Sequence, residues 1–253
     1  MPAKDFGPIE SDYAFFMAHA TEAECDATQF ALELAPLVGR GQRVRLLDFG
    51  CGTGEFTERL LTKLNWPADS LELALVEPVT TQVSAAAERL KRFSAHPIRT
   101  GTRLDNLSVG TFDVVLTNHV LYYVEDLDQT LRELLSRVVP EGKILAAMAP
   151  WDNALMRFWQ FGFSLLGEPI PYYAANDLAE NLTRLGAEYR KHRVSYELRF
   201  PDTRENRLRI LRFMFAEHLA RIPHDALLTE FDRHASHGSV ELTTYSEHFI
   251  VAR

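Results

Sequence analysis

The chain has 253 residues, 46% of them hydrophobic, and a formal net charge of −8. That length fits a single domain with an inserted cap, and the apolar content allows a sizeable core. The acidic balance disfavours nucleic acid as a main partner, since phosphate binding needs a basic face. Only two cysteines occur, Cys25 and Cys51, which make neither a disulfide framework nor a zinc pattern and fit a reducing, cytoplasmic setting. The start, MPAKDFGPIESDY, lacks the basic segment and apolar run of a secretory signal. The longest greasy stretch, residues 158–166, is interrupted by Gln160, Gly162 and Ser164 and is too short to span a bilayer, so no membrane partner is expected.

In chain order, residues 12–37 read as helical, with Phe15, Phe16, Ala23, Ala27, Phe30 and Leu34 inward and with Gly39 and Gly41 ending the element. An apolar run at 44–47 reads as a first buried strand and stops at Asp48. Gly50, Gly52 and Gly54 follow, and then EFTERLLTKL, where Phe56, Leu60, Leu61 and Leu64 share a helical face. A second strand at 71–76 closes on Glu77 and Pro78, followed by a helix at 80–93 and a weak strand near 97–100. Residues 112–116, FDVVL, are a further buried strand. Residues 127–138 are an amphipathic helix, Glu141 and Gly142 a turn, and 143–148 the next strand. Strands alternating with helices of this length indicate a doubly wound, mostly parallel α/β sheet. Beyond Pro150 the texture becomes aromatic, WDNALMRFWQFGFSLL. A helix at 175–185, a strand at 189–200, a helix at 205–221 and a last strand at 240–252 complete the reading.

Strand, glycine turn and helix form half of a βαβ unit, whose ligand sits at the carboxyl end of the strand. The dinucleotide fingerprint is G-x-G-x-x-G. Here the spacing is G-x-G-x-G, and Glu55 stands in the place of the third glycine. Asp48 adds a second acid at the strand end. Two acids are awkward beside a pyrophosphate and suit a ligand carrying positive charge. With DFGCGTG after an apolar strand, the segment resembles motif I of the class I S-adenosylmethionine-dependent methyltransferases. The resemblance covers residues 44–149 in sequence and the remainder by order of elements.

It implies a Rossmann-like, seven-stranded sheet with a helical cap. Residues 1–43 would be an N-terminal helical cover and 44–149 a cofactor-binding core. Residues 150–253 would form a C-terminal half, with acceptor-site insertions at about 150–174 and 203–237. It also implies S-adenosylmethionine as cofactor, S-adenosylhomocysteine as product, and a cofactor site drawn from Asp48, Phe49, Gly50, Cys51, Gly52, Gly54, Glu77, Pro78, Thr102, Asn118 and Tyr13. Glu77 takes the position of the acid that binds both ribose hydroxyls, for which a carboxylate has two acceptor oxygens. The acid that meets adenine in the family has no direct counterpart in RTGTRLDNL; Thr102 or Arg103 stands there, and Asp105 comes slightly late.

The segment FDVVLTNHVLYYVED resembles motif II, which sets Asn118 and His119 beside the methyl group. His119 is then a general base, an acceptor ligand or simply packed. Tyr122, Tyr123, Trp151 and Trp159 are candidates for an acceptor wall, as core packing is for each. Arg207, with Arg204, Arg209 and Arg212, offers either a clamp for an acidic acceptor or a solvated face. The histidines lack metal-ligand spacing. There is no [N/D]-P-P-[Y/F] motif, which in amino-directed DNA and protein-glutamine methyltransferases holds a planar amine, and this argues against those acceptors. The expected activity is methyl transfer to an N or O atom of a small molecule. An RNA or protein methyltransferase, an aminopropyl transferase and a non-catalytic binding module stay open.

Overall fold

The structure, a computed structural model, describes residues 7–37, 43–107 and 110–253. Gly39 and Gly41, the expected end of the first helix, lie outside the described residues, as do the first six positions. In chain order the elements are α1 (Glu10–His19), α2 (Glu22–Leu34), β1 (Val44–Phe49), α3 (Glu55–Leu64), β2 (Leu71–Val76) and α4 (Thr80–Leu90). Then come β3 (Arg99–Gly101), β4 (Phe112–Asn118), α5 (Leu127–Ser136), β5 (Val138–Met148), α6 (Ala154–Leu166) and α7 (Ala175–Arg184). The last part holds β6 (Tyr189–Pro201), α8 (Arg204–Phe215), α9 (His224–Thr229), β7 (Ala235–Ser236) and β8 (Ser239–Ala252).

Seven strands form one path in the order β3-β2-β1-β4-β5-β8-β6, and the two-residue β7 pairs onto β8. Pairings from β3 through β5 are parallel, while β8 runs antiparallel to both β5 and β6. The central strands are apolar on consecutive residues because both faces are covered. Leu46, Leu73, Leu75, Val114 and Leu116 pack under Phe30 of α2, Leu60 of α3 and Leu90 of α4. Their neighbours Leu47, Ala74, Val115 and Ile144 pack with Leu131 of α5, Phe163 of α6 and Leu182 of α7. Each of the Val, Leu, Ile and Phe side chains among them contributes roughly 1.5–3 kcal/mol of burial. Among the described residues no helix is long and apolar enough to cross a membrane.

Several boundaries differ from the sequence expectation. The helix at 12–37 is two helices. Between them Ala20 is extended at φ −103°, ψ 138° and bridges Leu198 on β6, and the Thr21 N–H donates to the Glu197 carbonyl at 2.8 Å. An edge strand thus competes successfully with helix continuation. The helix at 127–138 stops at Ser136, and Val138 already belongs to β5. The expected turn at 141–142 is an irregularity inside β5, with Glu141 at φ 67° and a register shift opposite Phe112 and Val114. The helix at 205–221 is regular only to Phe215, since Ala216 takes φ 45° and a 3-10 turn follows.

Candidate functional site

A cavity of about 680 Å³ lies over the carboxyl ends of the parallel strands, walled by Phe49 of β1, Val76 and Glu77 at the end of β2, and Asn118 of β4. The glycine turn forms its floor. Gly50 has φ +78°, and a Cβ there would stand 2.4 Å from Val120 Cγ1, so only glycine fits. The N–H groups of Gly50 and Cys51 donate to the Val76 carbonyl at 2.7 and 3.1 Å, tying the turn to β2. Gly54, at φ +81°, lets α3 approach Ala86 of α4, where a Cβ would come within 3.1 Å.

Glu77 reaches across this turn. Its Oε2 accepts from the Gly52 N–H at 3.1 Å and its Oε1 from the Val79 N–H at 3.2 Å. Asp48 lies beneath the turn, 5% exposed and off the cavity wall, where it accepts from the Thr57 hydroxyl. Burial pushes its carboxyl up to about 7, against the Thr57 hydrogen bond and with further help from Glu77. Asp48 therefore braces the turn from below, and it stands off the wall where the expected contact set had placed it. Gly54 is likewise off the wall, while Phe49, Gly50, Cys51, Gly52, Glu77, Pro78, Thr102, Asn118 and Tyr13 are all on it. The Thr102 hydroxyl donates to Asn106 Oδ1 at 2.9 Å, and Arg103 and Asp105 share its stretch of wall. Asn118 Oδ1 is buried without a hydrogen-bond partner.

His119 stands at φ 55°, a strained value for a histidine, and both its nitrogens are engaged. Nδ1 is 2.9 Å from the Tyr122 hydroxyl, and Nε2 is 2.9 Å from Asp26 Oδ2 and 3.6 Å from Glu22 Oε1. Burial opposes protonation, but the Glu22 charge and the Asp26 hydrogen bond outweigh it and lift the ring to about 9. Of the three roles open to His119, this arrangement favours a packed ring, because both of its nitrogens already have partners. Tyr122 also accepts from the Ala149 N–H.

At the far end the wall is aromatic. Phe16 of α1 stacks on Phe213 of α8 at 4.5 Å between ring centres. Trp159 of α6 donates its indole N–H to the Met214 carbonyl at 2.9 Å and meets Tyr122 edge-on. Tyr123 also lines the cavity, but Trp151 does not; its backbone is taken by Asn176 and Gln160. Arg207 is also displaced from its expected role. It pairs with Asp202 and Asp232, each at 2.6 Å, and donates to the Leu228 carbonyl, away from the wall. Arg204, Arg209 and Arg212 are paired with Asp225 or Asp12, so no arginine clamp forms.

Sequence reasoning missed Glu22, Asp26 and Tyr196. Glu22 and Tyr196 are on the wall, and Asp26 is fully buried behind it. A signal was present: Glu22 and Asp26 are four residues apart and fall on the same side of a helix as the apolar Ala23, Ala27 and Phe30. Acids on a core-facing stripe are costly unless partnered.

The family profile described as a methyltransferase domain matches residues 17–192. The chain belongs to this family. It is 26% identical over 211 residues to histamine N-methyltransferase B from Xenopus laevis, covering 75% of this chain and 71% of the relative. Among solved structures it superposes on the YcgJ protein from Bacillus subtilis with a TM-score of 0.56 at 15% identity, covering 89% and 99% of the two chains. The [4+2]-cyclase SpnF gives 0.52 at 19% identity over 88% and 80%, so the fold alone does not dictate the reaction.

The protein is thus an S-adenosylmethionine-dependent methyltransferase of Rossmann-like fold. The wall suits that cofactor. It presents bare glycine backbone, a carboxylate at the β2 end and an unpaired acceptor at Asn118, and it is richer in acids than in bases. A phosphate-free cation fits such a lining, and a pyrophosphate does not.

Proposed function

We propose that this methyltransferase acts on a nitrogen atom of a small basic amine. The observation that carries the reading is Glu22, a carboxylate whose side chain is 13% exposed, on the cavity wall within reach of Tyr122, Tyr123 and Tyr196, with Trp159 on the same wall. Burial, with the Asp26 charge, raises its carboxyl above the usual range, while His119 and the Tyr196 hydroxyl pull the other way, toward the anion. An amine N–H or ammonium is a fitting partner for such a group, and aromatic faces favour a neighbouring cation. The histamine N-methyltransferase relatives, named for an amine acceptor, support the same class.

In this reading Glu77 holds the ribose hydroxyls and residues 102–105 border the adenine. Asn118 and the glycine turn border the methionine portion. Bound S-adenosylmethionine supplies a methyl activated by its sulfonium. The protein then has to align the nitrogen with it, exclude water and receive the amine proton, a role open to Glu22. The segments 150–174 and 203–237 supply the acceptor end through Trp159 and Met214. A hydroxyl acceptor could lose its proton to the same Glu22, so the preference for nitrogen rests on the acidic, aromatic wall. An RNA acceptor is disfavoured by the acidic wall.

The test is a panel of small amines, phenols and carboxylic acids, with methylated product and S-adenosylhomocysteine followed by mass spectrometry. Turnover is expected with amines alone. Turnover of phenols or acids with none of the amines would overturn the reading.

A further inference from the structure

Behind the acceptor wall lies a group of ionisable side chains larger than methyl transfer itself requires. Asp26 is 0% exposed and accepts from three donors. His119 Nε2 lies 2.9 Å from its Oδ2, while His248 Nε2 at 2.7 Å and the Ser246 hydroxyl at 3.0 Å meet its Oδ1. Four segments bring the cluster together. Glu22 and Asp26 come from α2, His119 and Tyr122 from the segment after β4, Ser246 and His248 from β8, and Tyr196 from β6. His192 of β6 sits across from His248, with ring centres 5.6 Å apart. The remaining neighbour on β8, Glu247, is neutralised by Lys191 at 2.8 Å.

His119 Nε2 is shared by two carboxylates, Asp26 at 2.9 Å and Glu22 at 3.6 Å. Two buried acids this close cannot both stay ionised unless a cation lies between them. The ring cannot turn away, because its other nitrogen is held at Tyr122 and its backbone is fixed at φ 55°.

We propose that Asp26 is a positioning residue that holds His119 as an imidazolium, so that Glu22 meets the acceptor as a carboxylate. The part played by Glu22 rests on the amine reading above; the hold of Asp26 on His119 does not. Asp26 touches no substrate. It acts through His119, which in turn offsets the charge of Glu22. The site then presents a net negative charge to a basic amine and repels acidic acceptors. Without the Asp26 charge, His119 loses its proton near neutrality, and Glu22 is left to take one up.

The experiment reads the imidazole directly. Proton–carbon NMR of the histidine rings is followed against pH in the ligand-free chain, with His119 assigned by the signal that vanishes in His119→Gln. In the wild type its midpoint should lie well above the ordinary value of about 6.5. In Asp26→Asn, which keeps the shape and removes the charge, it should fall by about 1–3 pH units, the shift that one adjacent opposite charge gives. The acidic limb of kcat/KM for an amine acceptor should move upward in the same variant. A wild-type midpoint at or below the ordinary value, or an unchanged midpoint in a folded Asp26→Asn, overturns the proposal. If the Asn variant does not fold, the wild-type titration alone decides it. If no amine is turned over while His119 titrates as described, the acceptor reading fails and the hold of Asp26 on His119 stands.

Discussion

At the level of single residues, two carboxylates on the cavity wall, Glu77 and Glu22, are given different work. Glu77 is held open by the N–H groups of Gly52 and Val79, which leaves its remaining lone pairs toward the cavity. Two charge-assisted hydrogen bonds to a ribose diol are worth roughly 1.5–3 kcal/mol each. Replacing Glu77 with Ala should therefore weaken S-adenosylhomocysteine binding at least tenfold by calorimetry while the circular dichroism spectrum persists. Unchanged affinity would take the ribose away from Glu77. Glu22 makes the complementary case. Glu22→Gln keeps its size and its reach to Tyr196 but sheds the charge, at a cost of about 1.5–3 kcal/mol in a charge-assisted contact. The amine kcat/KM should drop about 10- to 100-fold, with cofactor affinity changed less than about twofold. An equal fall in both would place Glu22 in the cofactor site.

At the level of elements, the βαβ core was legible because local pattern and tertiary role agree there. Leu46 and Leu47 face opposite helical layers, so the strand reads as a continuous apolar run, and the glycines mark the turn. The turn makes a sharp prediction. Gly50→Ala forces a Cβ to 2.4 Å from Val120 Cγ1 at φ +78°, so cofactor binding should be lost or stability should fall by about 1–3 kcal/mol. Adding Val120→Ala should restore part of the loss, because it removes the collision but not the backbone strain. A double variant no better than the single would show that the contact is not the cause. The acceptor end was less legible, because its geometry comes from long-range pairing. The helix break at Ala20 is fixed by Leu198 and Glu197 of β6, far along the chain, and the one local hint is Thr21 with Glu24 three residues on, a helix-start pattern. The same distance hid the partnership of Asp26 with His119 and His248. Arg207 misled for a related reason: an arginine-rich stretch looks like a clamp until Asp202 and Asp232 are seen to consume it. Trp159 bridges α6 and α8 through its indole N–H, so Trp159→Phe should alter acceptor KM while leaving cofactor affinity within about twofold.

At the level of the whole molecule, the buried acids and the buried histidine give stability an unusual dependence on pH. Asp48 has its carboxyl raised to about 7 by burial, so the folded chain keeps that proton where the unfolded chain, near 3.9, has lost it. Between about pH 4 and 7 the unfolded state binds fewer protons at this group, and stability falls as pH rises, by roughly 4 kcal/mol over the window. His119 acts in the same sense at higher pH. Its raised value, about 9, contributes stability that is fully present below about 6.5 and is lost as pH climbs through 9. Asp26 acts in the opposite sense. Its carboxyl is held down to about 2 because the hydrogen bonds and charges of His119 and His248 overcome burial. Its contribution is present above the ordinary carboxylate range and disappears as pH drops toward 2. The three together place the maximum in mildly acidic solution, near about pH 4–5, below the more usual range of about 5–8. Scanning calorimetry of the ligand-free chain should show a melting temperature that declines steadily from pH 5 to pH 9. Asp48→Asn, which retains an acceptor oxygen for the Thr57 hydroxyl, should flatten the decline between pH 5 and 7 and leave the loss toward pH 9 in place. A melting temperature that rises from pH 5 to 8, or an Asn variant with the wild-type slope, would mean that Asp48 is ionised in the folded chain.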